Sequence, residues 1–208
     1  MVAALRRNEI EAYGCDFEFK PGSEVLSLAS ESIIRKIEQD PYKLPFADGE
    51  FSAVVSDQVM EHVGNLDETM AETHRVLAKG GVAIHIFPSR YTPLEPHIGV
   101  PLATMIRNPV WLSFWNKLGL GRKAGKDDGS RSMTEQQLQY LNNNTHYRSH
   151  SEFDRIARRT FAEVGNLESN FLSYRFSASS AASAVLSSPP IAFAYRTLRD
   201  RIIFCKKN

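Results

Sequence analysis

Three strand-like runs of this chain each stop at groups that accept hydrogen bonds or protons. Residues 51–55, inside "LPFADGEFSAVVSDQVMEHV", give way to Ser56, Asp57 and Gln58 and then to Glu61 and His62. Residues 10–15 stop at Asp16, and residues 33–38 lead to the Asp40, Pro41 corner. In a doubly wound sheet the carboxyl ends of the strands open into the ligand crevice. A carboxylate there can accept hydrogen bonds from both hydroxyls of a ribose, and a second acid beside a backbone corner can receive the exocyclic amine of adenine. An Asp after a strand also serves as a helix cap or turn residue. It is the succession of three that favours binding.

His62 has the chemistry of a general base; at a strand-to-helix junction a histidine also holds a loop through a backbone hydrogen bond. Glu95 and His97, in "YTPLEPHIGVP", follow the next apolar run and are either substrate contacts or polar groups of a proline-stiffened turn. His74 falls on a helix and His85 inside a strand, neither with a partner at metal-ligand spacing, so the sequence demands no metal. Trp111, Phe114 and Trp115 wall an apolar acceptor site or anchor their segment to the sheet, and the anchor is the expectation.

The elements that must position these groups follow from periodicity. Val63, Leu66, Met70 and Leu77 mark one face of a helix over 66–79, with Asn65 as cap, Asp67 and Glu68 at its positive end, Arg75 and Lys79 at its negative end, and Gly80 as stop. Residues 82–87 are apolar on both faces apart from His85, as in an inner strand, so 51–87 reads as a βαβ unit. Upstream, Leu5 to Asn8 resemble a helix end with Asn8 as left-handed cap, and 17–32 reads as a loop with one helical turn. Residues 89–150 read as an insertion whose "GLGRKAGKDDGSR" is an exposed loop. A helix over 151–165 opens with a Ser151 and Asp154 capping pair and turns Phe153, Ile156, Ala157 and Phe161 inward. A strand over 167–176, a Ser/Ala tract up to Pro189 and Pro190 that is a loop or a ragged helix start, a helix over 191–199 and a strand over 202–205 complete one α/β domain.

Composition narrows the class. With 25 Lys and Arg against 24 Asp and Glu in 208 residues, the formal charge of +1 argues against a dedicated nucleic-acid binder. Cys15 and Cys205 read as small buried hydrophobes of a reducing compartment rather than a disulfide. The opening "MVAALRRNEI" lacks the apolar core of a signal peptide, and no stretch approaches the roughly 18 apolar residues of a membrane span. The expectation is a cytoplasmic protein with no stable membrane insertion.

The quoted string, followed by "NLDETMAETHRVLAKGGVAIHIFP", resembles the class I S-adenosylmethionine-dependent methyltransferases, type 11 group, specifically over about 12–88 and more weakly over 151–205. The resemblance implies a Rossmann-like sheet, parallel with an antiparallel C-terminal strand, and S-adenosylmethionine as cofactor. It implies that Asp16, with Phe17 beside it, holds the ribose, that Asp40, with Pro41, contacts adenine, and that Ser56, Asp57 and Gln58 lie by the methionine moiety. Glu95 and His97 fall where the family contacts its acceptor.

One departure stands beside these matches. Family members begin with a strand and an Asp-x-Gly-x-Gly turn that lets the backbone approach the cofactor, whereas this chain opens on residues corresponding to the helix after it. Gly119, Gly121 and Gly125 follow no strand and do not replace that turn. Without the central strand its two neighbours keep unpaired backbone groups, each costing about 1–3 kcal/mol if buried. The expectation is a reading frame that begins upstream of Met1, ahead of a gap filled by another segment or a remnant. Two functions follow: a methyltransferase for a small-molecule, glycan or lipid acceptor with the insertion as lid, or a degenerate module that acts as a binding partner. A dinucleotide dehydrogenase would need the same turn.

Overall fold

The computed structural model describes residues 1–19, 22–123 and 131–208. The N-terminal third runs α1 (Val2–Arg7), β1 (Gly14–Asp16), α2 (Ser23–Ser30), β2 (Ile34–Lys36), β3 (Glu38–Gln39), β4 (Tyr42–Lys43) and β5 (Phe51–Asp57). Then come α3 (Leu66–Val76), β6 (Leu77–Pro88), α4 (Pro109–Lys117), α5 (Met133–Asn144) and α6 (His150–Thr160). The chain closes with β7 (Glu163–Asn166), α7 (Glu168–Arg175), α8 (Ser180–Leu186), α9 (Pro189–Leu198) and β8 (Asp200–Lys206).

The α/β class stands, and the strands divide into separate sheets. β1 and β2 pair in parallel, β3 and β4 form a hairpin, and a four-stranded sheet runs β5-β6-β8-β7. Within it β5 and β6 are parallel, and β8 runs antiparallel to both β6 and β7. A single continuous sheet carrying Asp16, Asp40 and Asp57 is therefore not formed. Among the described residues β5 is hydrogen-bonded on one side only, so a strand expected to be buried has Val55 44% exposed. Tyr13, just before β1, and Phe51, at the start of β5, bring their rings to 6.2 Å, which ties the beginnings of the two open edges together.

Several boundaries differ from the sequence reading for identifiable reasons. Helix α3 stops at Val76, not Lys79, because its last carbonyls are taken from outside: Gly49 N–H donates to Arg75 (2.9 Å) and Lys207 Nζ to His74 (2.8 Å) and Leu77 (2.7 Å). Gly49, with φ +68, supplies the left-handed turn that aims its amide there. Strand β6 accordingly begins at Leu77, and Gly80 lies within it rather than capping the helix. Asn65 occupies the cap position, but its side-chain amide donates to Glu68 (2.8 Å) instead of capping. Asn8 is not left-handed; Glu9 is, with φ 61. The cap of α6 is Ser149, whose hydroxyl accepts from Glu152 N–H (3.3 Å), not the Ser151 and Asp154 pair. Residues 168–175 are helix rather than strand, since Glu168 and Leu172, four apart, share the buried face; α2 and α8 are likewise fuller helices than the loops expected there.

Two apolar cores result. One joins Met70, Leu77, Phe153, Ala157, Ile203 and Cys205 beneath the four-stranded sheet. The other lies inside residues 89–150, where Ile98, Val100, Ala103, Leu112 and Leu141 pack with Trp111 and Trp115. The tryptophans thus anchor their segment to itself, Trp111 Nε1–H donating to the Pro101 carbonyl (2.7 Å), and not to the sheet. Gly125 and most of the expected glycine and charge-rich loop lie outside the described residues. Cys15 and Cys205 are both free thiols on strands. No described helix is long and apolar enough to cross a membrane.

Candidate functional site

The sequence-predicted residues fall into three groups. The first sits where β1 and β2 end. Asp16 is exposed, and its Oδ1 accepts the Phe17 amide at 2.7 Å. Its carbonyl accepts Ile37 N–H (3.0 Å), which leads the chain into the β3–β4 hairpin with Asp40 and Pro41 at its exposed turn. The Phe17 and Tyr42 rings, 6.2 Å apart, hold that hairpin beside the end of β1. Asp16, Phe17, Asp40 and Pro41 are therefore brought together, with the carboxylates in water.

The second group closes β5. Ser56 faces β6, its hydroxyl 2.8 Å from Nδ1 of His85, while Asp57 and Gln58 are exposed. Gln58 adopts φ 55, uncommon for a side chain of its size, and its amide donates to the Ile86 carbonyl (2.8 Å), which turns the chain away from the strand. No hydrogen bond joins this group to the first among the described residues.

The third group is buried, and it unites residues far apart in sequence. Glu95 is fully buried and well supplied. Its Oε2 accepts the amides of His97 (2.8 Å) and Ile98 (2.7 Å); Oε1 accepts His97 Nδ1 (2.7 Å) and the Tyr147 hydroxyl (2.6 Å). Burial alone would raise its pKa, but hydrogen bonds from His97, Tyr147 and the Ile98 amide outweigh it and hold the carboxyl below its ordinary value. Burial beside the Glu95 charge pushes the Tyr147 phenol up, which keeps it a donor.

Glu61 is buried almost as deeply, at 2% exposure, yet neither carboxylate oxygen accepts a hydrogen bond from the described residues. Desolvation pushes its pKa up to about 7, only partly offset by its own amide and by His97, while Asp200 and Asp57 add to the rise. The nearest basic group is His62 Nε2, 3.9 Å from Oε1. His62 is itself fixed by Nδ1, 2.6 Å from the Asn144 carbonyl. Because a carbonyl can only accept, Nδ1 carries the proton and Nε2 a lone pair. The His62 and His97 rings meet edge to face at 4.8 Å. The Glu61 carbonyl accepts His146 N–H (2.6 Å), pinning the end of the 89–150 segment against this junction.

Sequence reasoning singled out His62 on its own and Glu95 with His97 as a pair, and did not join the two. Glu61 was visible as the neighbour of His62, but its burial follows from the packing of Thr145 to Arg148 over it. Tyr147 and Asn144 carry no local signal at all.

The βαβ unit, with polar residues at its strand tips and an antiparallel C-terminal strand, is a Rossmann-like arrangement. In sequence, residues 1–85 match the methyltransferase domain family. Its fold is similar to that of an S-adenosylmethionine-dependent methyltransferase from Mesorhizobium loti, at 13% identity over 99% of this chain and 85% of that one, TM-score 0.51. Geranyl diphosphate C-methyltransferase from Streptomyces coelicolor A3(2) aligns at 15% identity over 100% and 65% of the two chains, TM-score 0.47. Haemonchus contortus phosphoethanolamine N-methyltransferase 2 aligns at 15% over 99% and 45%, TM-score 0.46. The chain spans less than two thirds of the length of the latter two. Among curated proteins none matches it.

Proposed function

We propose that this chain is an S-adenosylmethionine-dependent methyltransferase acting on a small-molecule acceptor. The observation that carries the reading is the family match: residues 1–85 hold every cofactor-side candidate, and all but the half-buried Ser56 are exposed. The donor set fits the nucleoside. Among the described residues Asp16 keeps one oxygen without a protein partner for the ribose hydroxyls, Phe17, 41% exposed, offers an apolar face for the base, and Asp40 with Pro41 stands beside it for the exocyclic amine. Ser56, Asp57 and Gln58 take the amino-acid end.

When bound, S-adenosylmethionine supplies an electrophilic methyl group; what remains is positioning, which an ordered site provides by fixing reactants in line. The acceptor enters at His62, the exposed member of the group in which Glu61 and Glu95 are buried. His62 Nε2, freed by the Asn144 carbonyl, takes the proton that an acceptor hydroxyl or amine loses. Residues 89–150 cover this side and select the acceptor.

The open edge of β5, with Val55 in solvent, favours one rival, a module that keeps the acidic tips but does not hold the cofactor. Titration calorimetry with S-adenosylmethionine separates the two. Binding that weakens about tenfold or more in Asp16→Ala, from the loss of roughly 1.5–3 kcal/mol of charge-assisted hydrogen bonds, supports the proposal. Unchanged affinity in the variant rejects the ribose role, and no binding by the wild-type chain at millimolar cofactor supports the rival.

A further inference from the structure

The junction after β5 holds three acceptors and no donor to satisfy them. One ligand-capable atom each of Glu61, His62 and His97 lies within 4.8 Å of the other two. The Glu61 side chain is 1% exposed with both oxygens lacking a hydrogen-bond partner. Both histidines spend Nδ1–H on a fixed acceptor, His62 on the Asn144 carbonyl (2.6 Å) and His97 on Glu95 (2.7 Å), so each is left with its Nε2 lone pair. A buried carboxylate with His62 Nε2 3.9 Å from Oε1, His97 beside it and no donor among the described residues is unfavourable until a cation or a proton enters.

We infer that Glu61, His62 and His97 bind a divalent first-row transition ion, with Zn²⁺ the best match. Two imidazoles and one carboxylate suit Zn²⁺ and its neighbours, whereas Mg²⁺ and Ca²⁺ take oxygen ligands. Ligands about 2.1 Å from a tetrahedral ion stand roughly 3.4 Å apart, so the observed spread closes by small side-chain rotations. His62, 36% exposed, has room to make them and leaves the site open to solvent on one side. The surroundings fit as well: histidine ligands generally donate their other N–H to a carboxylate or carbonyl, which orients the ring and raises its basicity. Here Glu95 does this for His97 and is itself held by Tyr147 (2.6 Å). Three protein ligands leave a coordination position for an exogenous group. With the ion bound, His62 is a ligand, and the ion takes over the task assigned above to the free imidazole by lowering the pKa of an acceptor hydroxyl. That last step rests on the methyltransferase reading; the ion site does not.

The test uses the full chain, stripped with a chelator and freed of it, titrated with ZnCl₂ by calorimetry and with Co²⁺ by visible absorption, no methyl donor being present. One ion per chain is expected. Glu61→Gln, His62→Gln and His97→Gln should each weaken Zn²⁺ at least about 100-fold, and Tyr147→Phe about tenfold through Glu95. His146→Gln, next to the cluster but outside it, should leave affinity unchanged. Circular dichroism reports whether each variant folds, and Zn²⁺ should raise the melting temperature of the wild type but not of any folded ligand variant. Absence of binding at millimolar Zn²⁺ overturns the inference, as does wild-type affinity in both Glu61→Gln and His97→Gln. Because cofactor is absent throughout, failure here is distinct from failure of the methyltransferase proposal.

Discussion

Glu61 and Glu95 are buried to nearly the same degree and both adjoin His97, yet the fold treats them oppositely. Glu95 is met by two backbone amides, an imidazole and a phenol, and is held below the ordinary carboxylate range. Glu61 is met by none and is pushed up to about 7. Burial of a carboxylate is favourable only when donors replace the lost water, so Glu95 is part of the scaffold and Glu61 is a site. The same contrast separates the strand-end acids from the junction: Asp16, Asp40 and Asp57 lie in water, whereas Glu61 and Glu95 are inside the protein.

The largest effect that follows is on stability. Glu95→Ala leaves the Tyr147 hydroxyl, the His97 imidazole and two amides buried without their acceptor. Breaking a buried network from one side costs about 3–5 kcal/mol, and urea unfolding should show the midpoint falling accordingly. A loss under about 1 kcal/mol would mean that water replaces the carboxylate easily and that Glu95 and Glu61 do not differ as described.

Acid should act next, through His85. It is fully buried, touches only Ser56 with a polar group, stacks edge-on against Phe153, and desolvation lowers its pKa from 6.5 to about 4. The unfolded chain therefore takes up a proton first. Its contribution is complete above pH 6.5 and is lost as pH falls toward 4, by about 3 kcal/mol at about 1.4 kcal/mol per pH unit. His150, also lowered to about 4 by burial and by Arg201, adds to the same window. Unfolding measured between pH 7 and 4 should lose this slope in a folded His85→Gln variant; a slope that persists unchanged would move the titration to other groups.

How much of this could be read beforehand depends on the range of the interaction. The βαβ unit was legible because Leu66, Met70 and Leu77 and the apolar run after Gly81 are local signals, and Asp16 does end β1, whereas Asp40 lies at the turn of the β3–β4 hairpin. The end of α3 was not, because Lys207 and Gly49, which take its carbonyls, come from elsewhere in the chain. Residues 168–175 were misjudged because Glu168 bonds to Ile202 N–H (3.1 Å) on β8, a contact that no local alternation records. At the site, "EH" and "EPH" were both visible, but their convergence depends on Tyr147 and Asn144, more than 40 residues beyond.

Tyr147→Phe tests the scaffold half of the comparison more finely than removing Glu95. It deletes one hydrogen bond to a charged group without a cavity, an expected loss of about 1.5–3 kcal/mol. The effect should vanish in a Glu95→Gln background only if the two act as one unit, which a double-mutant cycle on urea midpoints measures. Simple additivity would show that Tyr147 is held by packing and not by its 2.6 Å bond.

Glu61→Gln should have the smallest effect on the metal-stripped protein, and that smallness is informative. The carboxylate makes no hydrogen bond to lose, and an amide of the same shape removes the cost of burying a charge, so stability should change by less than about 1 kcal/mol or rise. The matched Glu95→Gln change puts an amide N–H₂ among four donors and should be clearly destabilising. Two isosteric substitutions at equally buried positions should therefore differ in urea midpoint, with Glu61→Gln at or above the wild type. If both fall alike, Glu61 has structural partners after all, and the distinction between a scaffold glutamate and a site glutamate fails at its root.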